Sequence, residues 1–326
     1  AAEYDRFLGD FAGTSLVAIS EGIYGGLLGT FEHDIRGRER DETDVNWTVT
    51  LEQDFGADTM VFATVATGTK GGGFDARYLQ TNDGAFFEYD EEEAINYELG
   101  LKTYLLDGAM SLNATAFFTT VEDYQVSIFD GATAFFVQNA AEIESKGVEV
   151  DVKWAATDAL TISAAGTYLK AEYSDFPNAP CWTVSGSEPG DRGNCVGRGT
   201  PDAFRDAKGD ANTYSPVGAY NLNFDYRLPI GDTLEARGVL NINYSDEYFV
   251  ASDLDPIYAI QDSYTLWDLR LSLGSVDGMW DVAVIGKNLS DEYVSGNSND
   301  QPLVDGNGFA STDRLRTYAV QATYRF

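Results

Sequence analysis

The sequence predicts an all-β protein, a transmembrane antiparallel β-barrel, from three observations. Apolar and polar residues alternate along most segments, short turns alternate with long loops, and the polar faces of the segments carry charge. The segment 317–326 shows the alternation without a slip, because Tyr318, Val320 and Tyr324 share one face while Gln321 and Arg325 share the other. One face suits lipid and the other suits water, as in a barrel that crosses a membrane.

Eleven segments show strand character, an apolar row opposed by a polar row. In chain order they are 47–52, 60–67, 95–102, 110–118, 148–154, 160–164, 220–228, 240–244, 267–273, 280–284 and 317–326. The second segment has two similar faces, so its orientation stays open. All eight prolines lie outside these segments, as a hydrogen-bonded ladder requires.

The connections alternate between tight turns and long loops. Short turns are predicted at Gly56, Asp107-Gly108, Thr157-Asp158, Pro229–Asp232 and Asp277-Gly278. Long connections are predicted at 71–93, between 118 and 148, and at 174–212, 245–262 and 290–313. Every second connection therefore lies on the same rim. In bacterial outer-membrane barrels the short turns face the periplasm and the long loops face outside.

Charged side chains on the polar faces indicate a wide lumen. They are Glu98, Lys102, Glu149, Asp151, Lys153, Asp225, Arg227, Asp268, Arg270 and Arg325. A small closed barrel would bury these charges at high cost, whereas a wet or plug-filled lumen would not.

Aromatic residues make up 13% of the chain and concentrate near the ends of the predicted strands. Those near short turns are Trp154, Tyr226, Trp280, Tyr324 and Phe326, and those near long loops are Tyr168, Tyr173, Tyr244 and Tyr318. This placement is typical of the aromatic girdles at the two membrane interfaces. The alternative is ordinary β-sheet packing, since aromatic residues favour any pleated surface.

Composition excludes several classes of protein. No apolar run approaches the ~18 residues of a membrane-spanning helix. A net charge of −32 argues against nucleic-acid binding, which needs clustered Lys and Arg. The acidic loops could hold divalent cations, face a cationic ligand, or form a solvated exterior.

No catalytic, cofactor or metal constellation is predicted. His33 is the only histidine, which removes Ser-His and Cys-His nucleophile pairs and multi-histidine metal sites. Asp253 and Asp255 could bind a cation or be solvated loop charges. The Gly71–Gly73 run lacks the GK[ST] ending of a phosphate loop. The chain is therefore not expected to be an enzyme.

Two cysteines, Cys181 and Cys195, lie in one polar stretch rich in Gly, Ser, Asn and Pro. In an oxidising compartment they would close a loop and stabilise it by about 3 kcal/mol in the chain-entropy model. The alternative is a pair of free thiols in a cytosolic protein.

Several motifs resemble the C-terminal half of the barrel of TonB-dependent outer-membrane receptors, importers of ferric siderophores and related scarce nutrients. They are Thr67–Asp75 (TGTKGGGFD), Asn96–Lys102 (NYELGLK), Lys146–Val150 (KGVEV), Lys287–Tyr293 (KNLSDEY) and the closing strand Tyr318–Phe326. The resemblance covers about 44–326 and is specific in order and spacing. A complete barrel of this family has about twenty-two strands, so the chain is expected to be its C-terminal portion.

The resemblance implies a location, a function and partners. It implies a receptor in the outer membrane of a Gram-negative bacterium, energised through an inner-membrane TonB complex and surrounded by outer-membrane lipid and lipopolysaccharide. Phe326 would be recognised by the barrel-assembly machinery. Residues 1–43 resemble neither the plug domain nor the TonB box of this family and are predicted to be a loop region with room for one strand. A structural or adhesive barrel and a passive pore are the rival hypotheses.

Ligand contacts are expected from the loops and the upper lumen, because binding residues concentrate on loops held by a rigid scaffold. The candidates are Tyr78, Phe86, Phe87, Phe135, Phe136, Trp182, Phe204 and Tyr248. Loop packing is the alternative role for each of them, and the sequence does not identify the ligand.

Overall fold

The computed structural model is built around one antiparallel sheet of eleven strands. It describes residues 39–75, 88–129, 135–181, 195–196, 204–251, 254, 259–300 and 308–326. In chain order the strands are β1 (Thr48–Phe55), β2 (Thr59–Lys70), β3 (Glu92–Leu105), β4 (Met110–Phe129), β5 (Phe135–Ala155), β6 (Leu160–Asp175), β7 (Gly218–Ile230), β8 (Leu234–Ser245), β9 (Tyr264–Ser275), β10 (Trp280–Lys287) and β11 (Thr317–Tyr324).

Each strand pairs with the next one along the chain, so that β1 and β11 are the two edges of the sheet. The eleven strands correspond one to one with the predicted segments, and the all-β prediction is confirmed. No helix in the described ranges is long and apolar enough to cross a membrane.

The short turns lie on one rim of the sheet, as predicted. Their backbones enter the left-handed region at Gly56 (φ 74°), Asp107 (φ 53°), Gly108 (φ 85°), Gly231 (φ 62°) and Gly278 (φ 73°). Glycine adopts this region at no steric cost, and Asp tolerates it better than most residues. Gly and Asp at these positions therefore fix where four of the five hairpins reverse.

The long loops lie on the opposite rim, and within the described residues they contain short two-stranded ribbons. These ribbons pair Gly73–Phe74 with Glu88–Tyr89, Ala179–Pro180 with Phe204–Arg205, Tyr248–Phe249 with Ile260–Gln261, and Ser295–Asp300 with Gly308–Thr312. Each ribbon holds together the two ends of its own loop.

The connection predicted between residues 118 and 148 is wrong, because most of it is strand. β4 has 20 residues and β5 has 21, about twice the ~9–11 residues that a tilted strand needs to cross a bilayer. The register shifts between Val121 and Tyr124, where Asp123 has a φ of 52°. A bulge of this kind moves the following side chains to the other face, so the period-two pattern breaks there. The hairpin extends well beyond the loop end of the neighbouring strands.

A second difference concerns Pro229, which was placed outside the strands and lies within β7. The pairing of β7 with β6 ends at Tyr226, whereas its pairing with β8 continues to Ile230. On the β6 side, the strand is therefore already unpaired at Pro229, and a residue without an N–H is tolerated there.

The outer face of the sheet carries large apolar side chains that remain substantially exposed. Leu99 is 59% exposed, Val150 38%, Trp267 41%, and Val284 57%. One cross-strand row on this face runs through Leu160, Tyr226, Gly238, Leu271, Val284 and Val320. A continuous apolar surface of this extent suits lipid rather than water.

The opposite face, called here the lumen face, is polar and internally hydrogen-bonded. Arg237 makes a bidentate contact with Asp225, Nε to Oδ1 at 2.7 Å and Nη2 to Oδ2 at 2.6 Å. On the neighbouring strands β9 and β10, Arg270 forms an ion pair with Asp281. Its Nη1 also donates to Ser272 Oγ at 2.7 Å. Planar guanidinium groups suit such fork-shaped contacts with carboxylates. The charged face is present as predicted, and most of its charged side chains have hydrogen-bond or ion-pair partners within the chain.

The main buried cluster of the molecule lies at the loop end of the sheet, where the extended ends of β4, β5 and β6 meet the loops. It is called here the outer cluster and comprises Val126, Ile128, Ala141, Ile143, Tyr173, Phe176, Ala179, Ala207 and Leu254. Phe176 is 0% exposed and its ring centroid lies 5.1 Å from that of Tyr173.

Tyr173 does not belong to the interface girdle in which it was placed. It is 2% exposed, whereas Tyr168, five residues earlier on the same strand, is 58% exposed. Five is an odd number, so the two rings lie on opposite faces of β6. Tyr173 therefore packs into the outer cluster, while Tyr168 remains on the outer face.

Candidate functional site

A cavity of about 470 Å³ opens where the loop ends of β6, β7, β8 and β9 meet. Its floor is formed by lumen-face residues that cross-strand pairing places side by side. Ala165 pairs with Asn221, which pairs with Asn243, and one rung higher Ala219 pairs with Ser245. The cavity is broadly open to solvent, and its volume falls within the roughly 300–1,000 Å³ range of small-molecule sites.

Three tyrosines from different parts of the chain line the side of this cavity. Tyr214 precedes β7, Tyr248 lies in the ribbon after β8, and Tyr264 begins β9. The rings of Tyr214 and Tyr248 have centroids 6.3 Å apart. Tyr214 Oη donates to the carbonyl of Val250 at 2.9 Å, which fixes its ring against the next loop.

The Tyr248 hydroxyl is held in its neutral form. Burial, a hydrogen bond with Tyr264 and the nearby Asp313 carboxylate together raise the pKa of Tyr248 above its ordinary value. Burial disfavours the charged phenolate, and a neighbouring negative charge acts in the same direction. At Tyr248 the cavity therefore presents a neutral phenol.

The two asparagines of the floor have hydrogen-bonding capacity left over. Asn221 Nδ2 donates to Asn243 Oδ1 at 2.6 Å and to Asn241 Oδ1 at 3.2 Å. Within the described residues, Asn221 Oδ1 and Asn243 Nδ2 make no hydrogen bond, and a side-chain amide has both donor and acceptor capacity. One acceptor and one donor thus remain available beside the cavity.

No described residue that lines the cavity carries a charge. Carboxylates lie beside it, because Asp246 and Glu247 directly follow Ser245 in the loop. Tyr244 Oη donates to Asp246 Oδ1 at 2.5 Å, which holds that carboxylate at the end of β8. The electrostatic environment of the cavity is therefore neutral to negative.

Acidic residues also gather around a single arginine near the Gly-rich motif of β2. Arg40 forms ion pairs with Glu42, Glu88, Asp90 and Glu91. Among the described residues, no three His, Cys, Asp or Glu side chains are grouped so as to hold a metal ion. This region is an ion-pair network that ties the β2–β3 loop to the segment before β1.

The glycines of the same motif permit close backbone approach. A Cβ at Gly72 would lie 2.4 Å from the Tyr89 carbonyl, and one at Gly73 would lie 2.7 Å from the Tyr89 hydroxyl. The Gly-rich run is thus a close-packed loop start.

The structure brings one of the predicted ligand residues to the cavity, namely Tyr248. Phe204 lies in the ribbon of the β6–β7 loop and is 40% exposed, while Phe135 and Phe136 begin β5. The others lie outside the described residues: Tyr78, Phe86, Phe87 and Trp182. No observation here tests these assignments, and they remain predictions.

Sequence reasoning missed Tyr214, Tyr264, Asn221 and Asn243 as cavity residues. The asparagines were visible only as members of polar rows, which every strand of a barrel has. The signal that could have found them is the cross-strand register, since it alone pairs the two asparagines directly across neighbouring strands, near the loop end of the sheet.

The predicted disulfide is present. Cys181 and Cys195 are joined, with their Cα atoms 5.9 Å apart. Cys181 directly follows the ribbon strand Ala179–Pro180, and Val196 after Cys195 forms a bridge with Phe204. The bond therefore fastens a loop whose base packs into the outer cluster.

Comparison with known proteins agrees with this architecture. A family model described as "TonB dependent receptor-like, beta-barrel" matches residues 20–289, which is most of the chain. The strand order, the two-faced wall and the alternation of short turns with long loops fit that description.

Three solved structures of similar fold are receptors for uptake or import. The ferric yersiniabactin uptake receptor FyuA from Yersinia pestis has a TM-score of 0.62 at 17% identity, over 84% of this chain and 36% of that one. The siderophore receptor PiuA from Acinetobacter baumannii has a TM-score of 0.60 at 20% identity, over 85% and 35%. The ferric-catecholate import receptor Fiu from Escherichia coli K12 has a TM-score of 0.58 at 18% identity, over 86% of this chain and 35% of that one.

Identities this low show the fold alone. The chain spans about a third of the length of each of these structures. Together with the family match over residues 20–289, they establish that the chain belongs to the TonB-dependent receptor-like β-barrel family.

Proposed function

We propose that the chain supplies wall and loops to an outer-membrane receptor that takes up a large scarce nutrient, a ferric siderophore being the first candidate. The observation that carries this proposal is the two-faced sheet: apolar side chains such as Val284 are exposed on one face, and ion pairs such as Asp225–Arg237 line the other. A cavity of sufficient volume for part of such a ligand lies at the loop end of the polar face.

In this proposal, capture is passive and transport is driven. Ligand enters from the loop side and is held by neutral phenols and amides in the upper lumen. Release into the lumen requires rearrangement of a plug, pulled by a TonB complex in the inner membrane. Residues 44–326 are then the C-terminal barrel strands, residues 1–43 a loop region before them, and the plug lies outside this chain.

The proposed location is the outer membrane of a Gram-negative bacterium. The apolar outer face would contact lipid, and its loop end would contact lipopolysaccharide. Phe326, which is fully exposed at the short-turn rim, is proposed as a recognition element for the barrel-assembly machinery. The receptor acts without catalysis and without a cofactor.

The test is nutrient uptake by a strain from which the gene has been deleted. Growth on chelated iron, and accumulation of radiolabelled ferric chelates and other large nutrients, would be measured with and without a protonophore. We expect at least one nutrient to lose uptake on deletion and also on collapse of the proton gradient. Uptake that depends on the gene but not on the gradient would indicate a passive pore, and unchanged uptake of every nutrient would indicate a structural barrel.

A further inference from the structure

We propose that the upper-lumen cavity selects an uncharged ligand whose surface carries hydroxyl or amide groups, and discriminates against anionic chelates. This inference rests on the proposed function, because it names the class of nutrient that the same receptor would bind. It concerns the cavity lined by Asn221, Asn243, Tyr214, Tyr248 and Tyr264.

The hydrogen-bonding groups of the cavity match a neutral ligand. Asn243 Nδ2 is a donor and Asn221 Oδ1 an acceptor, and neither is used by the described part of the chain. A ligand hydroxyl or amide can both donate and accept, so it satisfies the pair. A carboxylate or catecholate oxygen only accepts and would leave Asn221 Oδ1 facing another acceptor.

The tyrosines offer ring faces and phenol oxygens without charge. Tyr214 uses its hydroxyl hydrogen on Val250 O, so its remaining lone pair can only accept. Tyr248 stays protonated because burial, its contact with Tyr264 and Asp313 raise its pKa. Such rings pack against apolar patches of a ligand while their oxygens contact its polar groups.

The charges around the cavity act against an anion. No described lining residue is cationic, and Asp246 and Glu247 follow the lining residue Ser245 directly. The whole chain carries a net charge of −32. An anionic ligand would therefore be repelled by the negative potential of the protein, and no described lining residue would offer it a positive charge. A neutral ligand would not be affected by this potential.

The experiment measures binding of three probes to the purified full-length protein in detergent micelles. Two probes are neutral, a ferric tris-hydroxamate and a linear glucose tetrasaccharide. Comparing them shows whether the neutral ligand is an iron complex or a sugar. The third is an anionic ferric tris-catecholate. We expect at least one neutral probe to bind with an affinity independent of salt, and the catecholate to bind at least tenfold more weakly at low ionic strength.

Two cavity variants and one control locate the site. Asn243→Leu removes the free donor and should weaken the neutral probe about tenfold. Tyr248 lies in a loop ribbon and not in a strand of the sheet. Tyr248→Ala therefore tests the site even if the Asn243→Leu variant fails to fold into the membrane. Asn113→Leu is the control, because Asn113 lies in the same cross-strand row of the lumen face, three strands from Asn221. Its effect should stay within twofold.

The inference is overturned if the catecholate binds more tightly than both neutral probes, if neither neutral probe binds, or if both cavity variants bind within twofold of wild type. Failure of the proposed function is separate, because binding needs no energy. A neutral probe that binds at the cavity but shows no gradient-dependent uptake leaves the inference standing and contradicts energised transport. Gradient-dependent uptake of the anionic chelate alone supports energised transport and contradicts the inference of a neutral ligand.

Discussion

The wall and the outer cluster use the same kinds of residue in opposite ways. On the wall, Val320 is 75% exposed and Leu99 59%, whereas in the outer cluster Phe176 is 0% exposed and Ile143 4%. Apolar side chains in water stabilise a fold only by leaving water. The cluster achieves this against its own chain, and the wall requires lipid as its partner.

This contrast means that the two regions depend on different surroundings. The outer cluster should hold the loop ends together in water, while the wall should be stable only in a membrane or micelle. Each substitution below changes one region and leaves the other intact, in descending order of expected effect.

The largest effect is expected from Phe176→Ala. Phe176 is fully buried among Tyr173 and the neighbouring loop residues, so truncation removes apolar burial and leaves a cavity. Such changes cost about 3–5 kcal/mol. Hydrogen exchange should show faster exchange of amides at the ends of β4, β5 and β6, with protection of the β8–β9 amides unchanged. Equal loss in both places would contradict the separation of the two regions.

Leu271→Arg should damage the wall and spare the cluster. Leu271 is 54% exposed on the outer face, and a cation facing lipid near the bilayer midplane costs about 2–4 kcal/mol. The control is Asn113→Arg on the lumen face, where the new guanidinium lies next to Asp151. Urea unfolding in lipid vesicles measures both. A larger cost for the control than for Leu271→Arg would reverse the assignment of the two faces.

Removing the disulfide should affect only the loop. The double change Cys181→Ser with Cys195→Ser releases a constraint on the denatured loop worth up to about 3 kcal/mol in the chain-entropy model. We expect faster proteolysis within 182–203 and an unchanged unfolding midpoint of the wall in vesicles. A lowered midpoint would mean that the loop also stabilises the sheet.

The smallest effect is expected from a glycine-to-alanine change in a short turn, compared with the same change in a strand. Gly108→Ala should cost about 1–2 kcal/mol, because its φ of 85° is unfavourable for a residue with a Cβ although the space around it is open. Gly68→Ala in β2 also meets open space but has no such φ, so it should be neutral or slightly stabilising. Equal effects of the two changes would show that the turn backbone is not restrictive.

The wall could be predicted from sequence because local rules determine it. Period-two alternation located all eleven strands, and dipeptides such as Asp107-Gly108 located the turns, since both signals are contained within a few residues. Where a local rule is interrupted the prediction failed. The bulge between Val121 and Tyr124 shifted the faces of β4, and the strand was ended too early.

The outer cluster and the cavity depend on contacts between distant segments. The odd spacing of Tyr168 and Tyr173 puts them on opposite faces of one strand, but packing against Phe176, which comes from the loop that follows, is what buries Tyr173. Similarly, Asn243 is one of several polar residues on its face until register places it beside Asn221. Tyr248 was found because aromatic residues in loops were sought, and its partners come from other parts of the chain.

The most direct test of the two-faced wall is a spin-label scan of positions 266–273 in β9, a strand paired on both sides, in the full-length protein reconstituted in lipid vesicles. Labels at 267, 269, 271 and 273 should collide with oxygen dissolved in the bilayer, and labels at 266, 268, 270 and 272 with a water-soluble nickel chelate. That period-two alternation is the predicted result. Uniform access to the chelate, or no alternation between neighbouring positions, would contradict the account.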